Sequence, residues 1–300
     1  MSLDAVKILE ISITINPKNE ILEFVQKSLI NGAKKTEKIE KNASFAIKFL
    51  TIVTPNPEQI VLARRDSHFK KLLNQADISI PDGNGVVWAS RIFSLQTATY
   101  NLQAVQQVIP GIEFMEELVV IAAKQHVPVA LIGGKDGLAL KTFECLSMKH
   151  PKLLGWAGDG PEVRIDKDEI QIISQNTDVY FSALAKRIVD SGVKMVFVGL
   201  GAPKQEYFIE RLRNELSFRP TSRNLEKKAW DDKGVIIFMS VGGSFDEIAQ
   251  RIPRAPQWVS GLGLKWLWRL ILEPWRIRRQ LALVNFVWLV LREKKPKKIK

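Results

Sequence analysis

Three hundred residues, 46% of them apolar and 25% charged, suffice for one large or two modest globular domains and lie well outside disordered composition. One cysteine, Cys145, excludes an internal disulfide, and three scattered histidines, His68, His126 and His150, form no nitrogen/sulfur set, so a reducing compartment and no metal are expected. The net charge of +12 is concentrated: residues 251–300 hold thirteen Lys/Arg against Glu273 and Glu293, which leaves +11 in that end and points to an anionic partner there, a membrane surface or a nucleic acid.

Residues 1–10 lack the basic start and apolar run of a secretory signal, so none is expected. Residues 7–15, rich in Ile and Leu, predict a strand, and Ile21, Leu22, Val25 and Leu29 recur at helical spacing over 19–29. A Lys-rich connection at 31–44 leads to a second strand at 45–53, whose apolar run stops at Thr54-Pro55-Asn56-Pro57-Glu58. A helix over 57–76 follows, opened by Pro57, which suits a first helical turn. The short β-branched run 78–80 then breaks at Pro81-Asp82-Gly83. Residues 85–93 predict a helix starting on Gly-rich backbone, with its free amides turned toward the same crevice as Asp82. Residues 94–110, rich in Gln, Thr and Ala, read as a loop or part of a lid.

Strand, glycine turn and helix then recur. A helix over 111–125 precedes a strand at 127–132 that ends in Gly133 and Gly134, followed by a helix at 138–149. A strand from 194 breaks at Gly199 and Gly201 before a helix that begins near Pro203, residues 217–233 read as a charged surface insertion, and a last strand from 234 breaks at Gly242 and Gly243. This alternation predicts a doubly wound, mostly parallel sheet, Rossmann-like, over 1–250, with a basic, Trp-rich helical appendage at 251–300.

In such sheets ligands bind outside the carboxyl ends of the strands, so Asp82 is a candidate catalytic acid or base, and Thr54 and Asn56 form a second polar tip for the same crevice. Asp-Gly is equally an ordinary turn pair. Glycine turns let backbone amides approach a phosphate, and the three at 133–134, 199–201 and 242–243 together favour a nucleotide; Lys204 and Gln205 add a cation and an amide. None matches a named fingerprint: Lys204 stands where a dinucleotide fold needs its third Gly or Ala, and residues 133–137 lack the Gly-Lys-Ser/Thr of a P-loop. A Rossmann-type NAD oxidoreductase or epimerase is thus an alternative without its motif, and a non-catalytic membrane-associated scaffold is another.

Five of the eight tryptophans (Trp258, Trp266, Trp268, Trp275, Trp288) are interleaved with arginines in the appendage. Residues 281–291 are apolar apart from Asn285, yet eleven helical residues cover only about half of a ~30 Å hydrocarbon layer. Such a helix lies on a membrane rather than crossing it, and its basic flanks suit anionic headgroups; nucleic acid fits less well because apolar residues outnumber polar ones between the charges. A core helix with a solvated basic tip is the other reading.

The order Thr54-Pro-Asn-Pro-Glu58, Pro81-Asp82-Gly83, Gly111-Ile-Glu-Phe114, Leu131-Ile-Gly-Gly134, Gly-Ala-Pro-Lys-Gln-Glu206, Gly242-Gly-Ser-Phe-Asp246, Arg254-Ala-Pro256 and Trp266-Leu-Trp-Arg269 with Glu273-Pro-Trp-Arg276 resembles the WecG/TagA/CpsF glycosyltransferases, glycosyltransferase family 26. The resemblance implies an inverting hexosyltransferase at the cytoplasmic face of the membrane, without metal or other cofactor. It would move an N-acetylmannosamine-type sugar from a UDP-sugar to a polyprenyl-diphosphate-linked acceptor, for a cell-surface polysaccharide or teichoic-acid-type polymer. By position, Asp82 resembles the general base, with Thr54 beside it. The UDP-sugar set is Asn56, Gly133, Gly134, Gly199, Gly201, Lys204, Gln205, Glu206, Gly242, Gly243 and Asp246. The acceptor's diphosphate falls to Arg254, Arg269, Arg276 and Arg279. Val108, Glu113, Gln250 and Lys265 depart from the family pattern of Arg, Asp, Gly and Glu. A homo-oligomer is compatible with the sequence.

Overall fold

A computed structural model describes residues 3–34, 48–96, 104–218, 235–256, 258–259, 264–274 and 277–293. Most of the predicted connection at 31–44, the middle of the 94–110 loop, nearly all of the insertion at 217–233, Trp275, Arg276 and the side chain of Arg279 lie outside the described residues.

The chain opens with β1 (Ala5–Ile8), β2 (Ile11–Thr14), α1 (Lys18–Lys34), β3 (Lys48–Val53), α2 (Pro57–Ala63), α3 (Ser67–Gln75), β4 (Ile78–Ser79) and α4 (Asn84–Gln96). It continues through α5 (Gly111–Gln125), β5 (Val129–Gly133), α6 (Leu138–Lys149), β6 (Gly155–Gly158), β7 (Val163–Asp166), β8 (Glu169–Ile172), α7 (Thr177–Asp190), β9 (Met195–Gly199), α8 (Lys204–Phe218), β10 (Val235–Ser240) and α9 (Ser244–Ile248). It ends with α10 (Lys265–Leu272) and α11 (Ile277–Arg292).

Six strands form one sheet in the order β4-β3-β10-β9-β5-β6, every pairing parallel. A strand alternates its side chains between two faces, and here both faces are apolar. Val53, Ala130, Ile132, Val196, Val198, Ile236 and Phe238 join α2, α3, α4, α7 and α8 in one core. Leu50, Ile52, Val129, Leu131, Met195, Phe197, Ile237 and Met239 join α1, α5, α6 and α9 in the other. The sheet is therefore doubly wound, as its near-continuous Val/Ile/Leu strands predict.

Three features differ from the sequence reading. The predicted strand at 7–15 is a hairpin: Leu9 and Glu10 take φ of 48° and 71°, the left-handed pair that reverses a two-residue turn, and β1 and β2 pair antiparallel outside the main sheet. The single helix over 57–76 is two helices, because Asp66 caps a new start by accepting from the Phe69 amide at 2.7 Å. Residues 150–193, to which periodicity assigns no element, supply the edge strand β6, the hairpin β7–β8 and α7. Their signal is the alternation Val163-Arg-Ile-Asp and Glu169-Ile-Gln-Ile around Lys167 and Asp168, which take φ of 47° and 64°.

The appendage is tied to the core at its far end. α11 packs on α2 and α4, and Phe286 and Val290 are fully buried among their side chains. Among the described residues, no helix is long and apolar enough to cross a membrane.

Candidate active site

Parallel pairing puts the carboxyl ends of all six strands on one edge. The loops that leave this edge are Thr54–Asn56 after β3, Pro81–Gly83 after β4, Gly134 after β5, Asp159–Gly160 after β6, Leu200–Gly201 after β9 and Val241–Gly243 after β10.

The acidic end is built from β3 and β4. The Asp82 amide donates to Pro55 O at 3.2 Å, and Pro81 O accepts from the Ile109 amide at 3.0 Å, which fixes the loop from both sides. Asp82 is half-buried. Thr54 is buried beneath the start of α5, where a side chain on Gly111 would meet Thr54 Cγ2 at 3.1 Å. Asn56 spends its side-chain oxygen on capping α2, accepting from the Gln59 amide at 2.9 Å, so part of its polarity serves the fold. Gly85, in the first turn of α4, lies within 3.7 Å of Leu283 and Phe286 of α11 as measured from the position of its absent side chain. The last helix therefore stands beside the loop that carries Asp82.

The glycine corners of β5, β9 and β10 touch one another. A side chain on Gly133 would come within 2.4 Å of Gly199 O, and one on Gly199 within 2.9 Å of the Phe245 ring and 3.3 Å of Gly242 O. The Gly134 amide donates to Gly199 O at 3.1 Å, and Gly134 O accepts from the Gly160 amide at 3.1 Å. Gly160 and Asp159, whose carboxylate accepts from the Gly137 amide at 3.0 Å, extend this row and were missed from the sequence. Their signal was Gly158-Asp159-Gly160, one more apolar run broken by glycine. Gly201 and Gly242 take φ of 76° and 53°, conformations that favour glycine.

Lys204 opens α8 and is exposed at the mouth of the β9 corner, whereas Gln205 and Glu206 turn inward. Gln205 is fully buried; its Oε1 accepts from the Gly242 amide at 3.0 Å and its Nε2 donates to Glu206 Oε1 at 2.9 Å. Burial pushes the Glu206 carboxyl up to about 7, with the Gln205 amide, its own backbone and the nearby Ser240 hydroxyl pulling in the other direction.

Of the predicted acceptor arginines, Arg269 reaches the strand edge. Its Nη1 and Nη2 stand 3.3 and 3.4 Å from the place a Gly243 side chain would occupy, and Asp246 Oδ2 stands 3.7 Å from the same place. Ion pairs to Glu247 at 3.3 Å and Glu273 at 3.7 Å hold the guanidinium there, and its Nε and Nη2 are buried without a hydrogen-bond partner. Neither glutamate is given a site role by the sequence, although Glu273 opens the motif Glu273-Pro-Trp-Arg276. Arg254 is engaged elsewhere: it bonds Glu116 of α5 at 2.7 Å, and that bond holds its guanidinium protonated even more firmly than usual.

This edge, with an acid at one end and a row of glycine corners at the other, agrees with a match of residues 25–300 to the family described as "Glycosyl transferase WecG/TagA/CpsF family". The chain belongs to this family. It is a glycosyltransferase. It is also 30% identical, over 249 residues covering 82% of this chain and 81% of the relative, to the N-acetylglucosaminyldiphosphoundecaprenol N-acetyl-beta-D-mannosaminyltransferase of Bacillus subtilis (strain 168).

Proposed function

We propose that this glycosyltransferase moves an N-acetylmannosamine-type sugar from UDP to a sugar carried on a polyprenyl diphosphate, with inversion, while docked on the inner face of the cell membrane. The observation that carries the reading is the order of the sheet. Asp82 leaves β4, and the first glycine corner leaves β10, two strands away. At strand spacing that is roughly 10 Å, room for a sugar between a carboxylate and a diphosphate cradle. The printed activity of the Bacillus subtilis relative supports the same donor and acceptor classes.

In the reaction, Asp82 takes the proton of an acceptor hydroxyl, whose oxygen attacks the anomeric carbon from the face opposite the diphosphate. The anomeric C–O bond breaks and its electron pair leaves on the UDP phosphate oxygen. A well-placed base contributes on the order of 10²–10⁴-fold. Charge gathering on the leaving group is met by the amides of the Gly199–Gly201 and Gly242–Gly243 turns, by Lys204 and by Arg269, groups already in position before reaction. Arg269 comes from the appendage, so the membrane-facing end of the chain completes the site that the core begins. The outward apolar side chains of α10 and α11, among them Trp266, Ile271, Leu281, Val284 and Trp288, suit insertion at a lipid surface.

The test is incubation of the full chain with a panel of UDP-sugars and short-chain polyprenyl-diphosphate-linked acceptors, read by mass spectrometry of the lipid product. UDP-N-acetylmannosamine consumed with one N-acetylhexosamine added to the lipid is the expected result. Transfer of a different sugar class, or transfer to water alone, overturns the donor or the acceptor assignment respectively.

A further inference from the structure

Gln205 and Glu206 adjoin the glycine corners without being part of their surface. The Gln205 amide has one admissible orientation: the Gly242 N–H is a donor and must face Oε1, which directs Nε2 at Glu206 Oε1. Glu206, 4% exposed, is the acceptor that satisfies this second donor. It also lines a cleft of about 160 Å³ over the face of β3, between α3 and α8, which is lined too by Thr51, Gln75 and Arg213. Gly242 itself takes a left-handed φ of 53°, a conformation that glycine adopts without the cost a side chain would bring.

We propose that Glu206 is a positioning residue for donor binding: by fixing the Gln205 amide it holds the Gly242–Gly243 turn in the shape that receives the diphosphate, and it does not touch the ligand. The inference rests on the reading of that turn as part of the UDP site. It makes a chemical distinction that a packing role does not. Any group at 206 that can accept a hydrogen bond from Gln205 preserves the turn, whether charged or neutral. A group of the same length that cannot accept leaves Nε2 a buried donor without a partner and frees the amide to rotate away from Gly242.

The experiment compares the full chain with E206Q, E206M, Q205M and the Q205M/E206M double variant, by calorimetric titration with UDP and by donor kinetics. E206M is expected to raise the UDP Kd and the donor KM at least tenfold, and to lower kcat as well, because the same turn amides meet the charge on the leaving group. E206Q is expected to keep both constants within about threefold of the parent. Q205M and Q205M/E206M are expected to bind UDP equally, because Glu206 acts only through Gln205. Parental UDP affinity in E206M, equal damage in E206Q and E206M, or full additivity in the double variant overturns the proposal. Should E206M fail to fold, a tenfold loss in E206Q or an unchanged affinity in Q205M still overturns it. If the parent itself binds no UDP, the donor reading fails, and hydrogen exchange at the Gly242 amide then decides the positioning role alone: protection lost in a folded E206M, or in Q205M where E206M does not fold, and kept in E206Q supports it, and any other pattern removes it.

Discussion

The amide of Asp82 is bonded to the carbonyl of Pro55, so the loops closing β3 and β4 are one structure at the edge of the sheet. Nothing about a separation of 27 residues announces that contact; it follows from the parallel pairing of Ile52 with Ile78 and Val53 with Ser79. The backbone of Asp82 is thereby held against the loop that carries Thr54. Replacing Asp82 by Asn keeps the shape and the backbone bond and removes the proposed base. The expected result is a fall in kcat of about 10²–10⁴-fold, with the UDP Kd and the unfolding midpoint unchanged. Unaltered turnover in D82N takes the base away from this residue.

Arg269 joins the appendage to the core through Glu247 on α9 while it lies on the Gly243 backbone. R269A is expected to lose about 1–3 kcal/mol of stability, below a fully buried pair because the side chain is 23% exposed. It is also expected to lose at least tenfold in kcat/KM for the lipid acceptor. R269K should recover part of the stability and less of the activity, since an ammonium cannot fork toward two carboxylates and a turn at once. Urea denaturation and acceptor kinetics on the three proteins separate the two effects.

The sheet was legible because buried parallel strands are continuous apolar runs, and each glycine break marks where one ends. The order of those strands was not, since nothing local to Met195–Gly199 states that it lies between β5 and β10. Inside the site the limit was burial. Gln205 and Glu206 stand in a motif beside Lys204, yet helix α8 turns Lys204 to solvent and the next two side chains inward. Composition cannot tell a residue that holds a ligand from one that holds the loop that holds it. The appendage was read from its charge and tryptophans, while the burial of Phe286 and Val290 depends on partners in α2 and α4 more than 190 residues earlier.

Gly133 meets the β9 corner so closely that an added methyl group would lie 2.4 Å from Gly199 O, at a φ of 147° that only glycine adopts readily. Both atoms of that clash belong to backbone or to a carbon bonded to it, so neither swings aside. G133A is expected to cost roughly 2–4 kcal/mol and to displace the β9 turn. Denaturant unfolding gives the cost. A change under about 0.5 kcal/mol would show that the corners are looser than their contacts indicate.

The Glu206 carboxyl, raised by burial from 4.5 to about 7, makes stability depend on pH in a definite direction. Between those values the folded chain holds a proton that the unfolded chain has released, so stability falls as pH rises from about 4.5 to about 7 and levels off above. The full excursion is at most about 3 kcal/mol for a shift of this size. Gln at this position titrates nowhere. The difference in unfolding free energy between the parent and E206Q, measured at pH 5, 6, 7 and 8, is therefore expected to move in favour of E206Q from pH 5 to 7 and to level off toward 8; a difference flat with pH removes the assignment.

Helix α11 carries two apolar stripes. Leu283, Phe286 and Val290 face the core, whereas Ile277, Leu281, Val284, Trp288 and Leu291, spaced four, three, four and three residues apart, face outward. A helix with one buried and one exposed apolar face needs two partners, and among the described residues the fold supplies only the first. Deleting residues 255–300 would strip the inner stripe from α2 and α4, so truncation disturbs the fold and the docking together. Single faces separate them. F286A is expected to cost about 3–5 kcal/mol of stability through the cavity it leaves. Replacing Leu281 and Trp288 together by Gln is expected to leave stability within about 1 kcal/mol and to lower binding to vesicles containing anionic lipid at least tenfold, as each lost side chain forfeits about 1.5–3 kcal/mol of burial in the lipid interface. Vesicle cosedimentation at two salt concentrations measures the second effect, and unchanged binding of that double variant would show that the outward stripe of α11 does not meet the membrane.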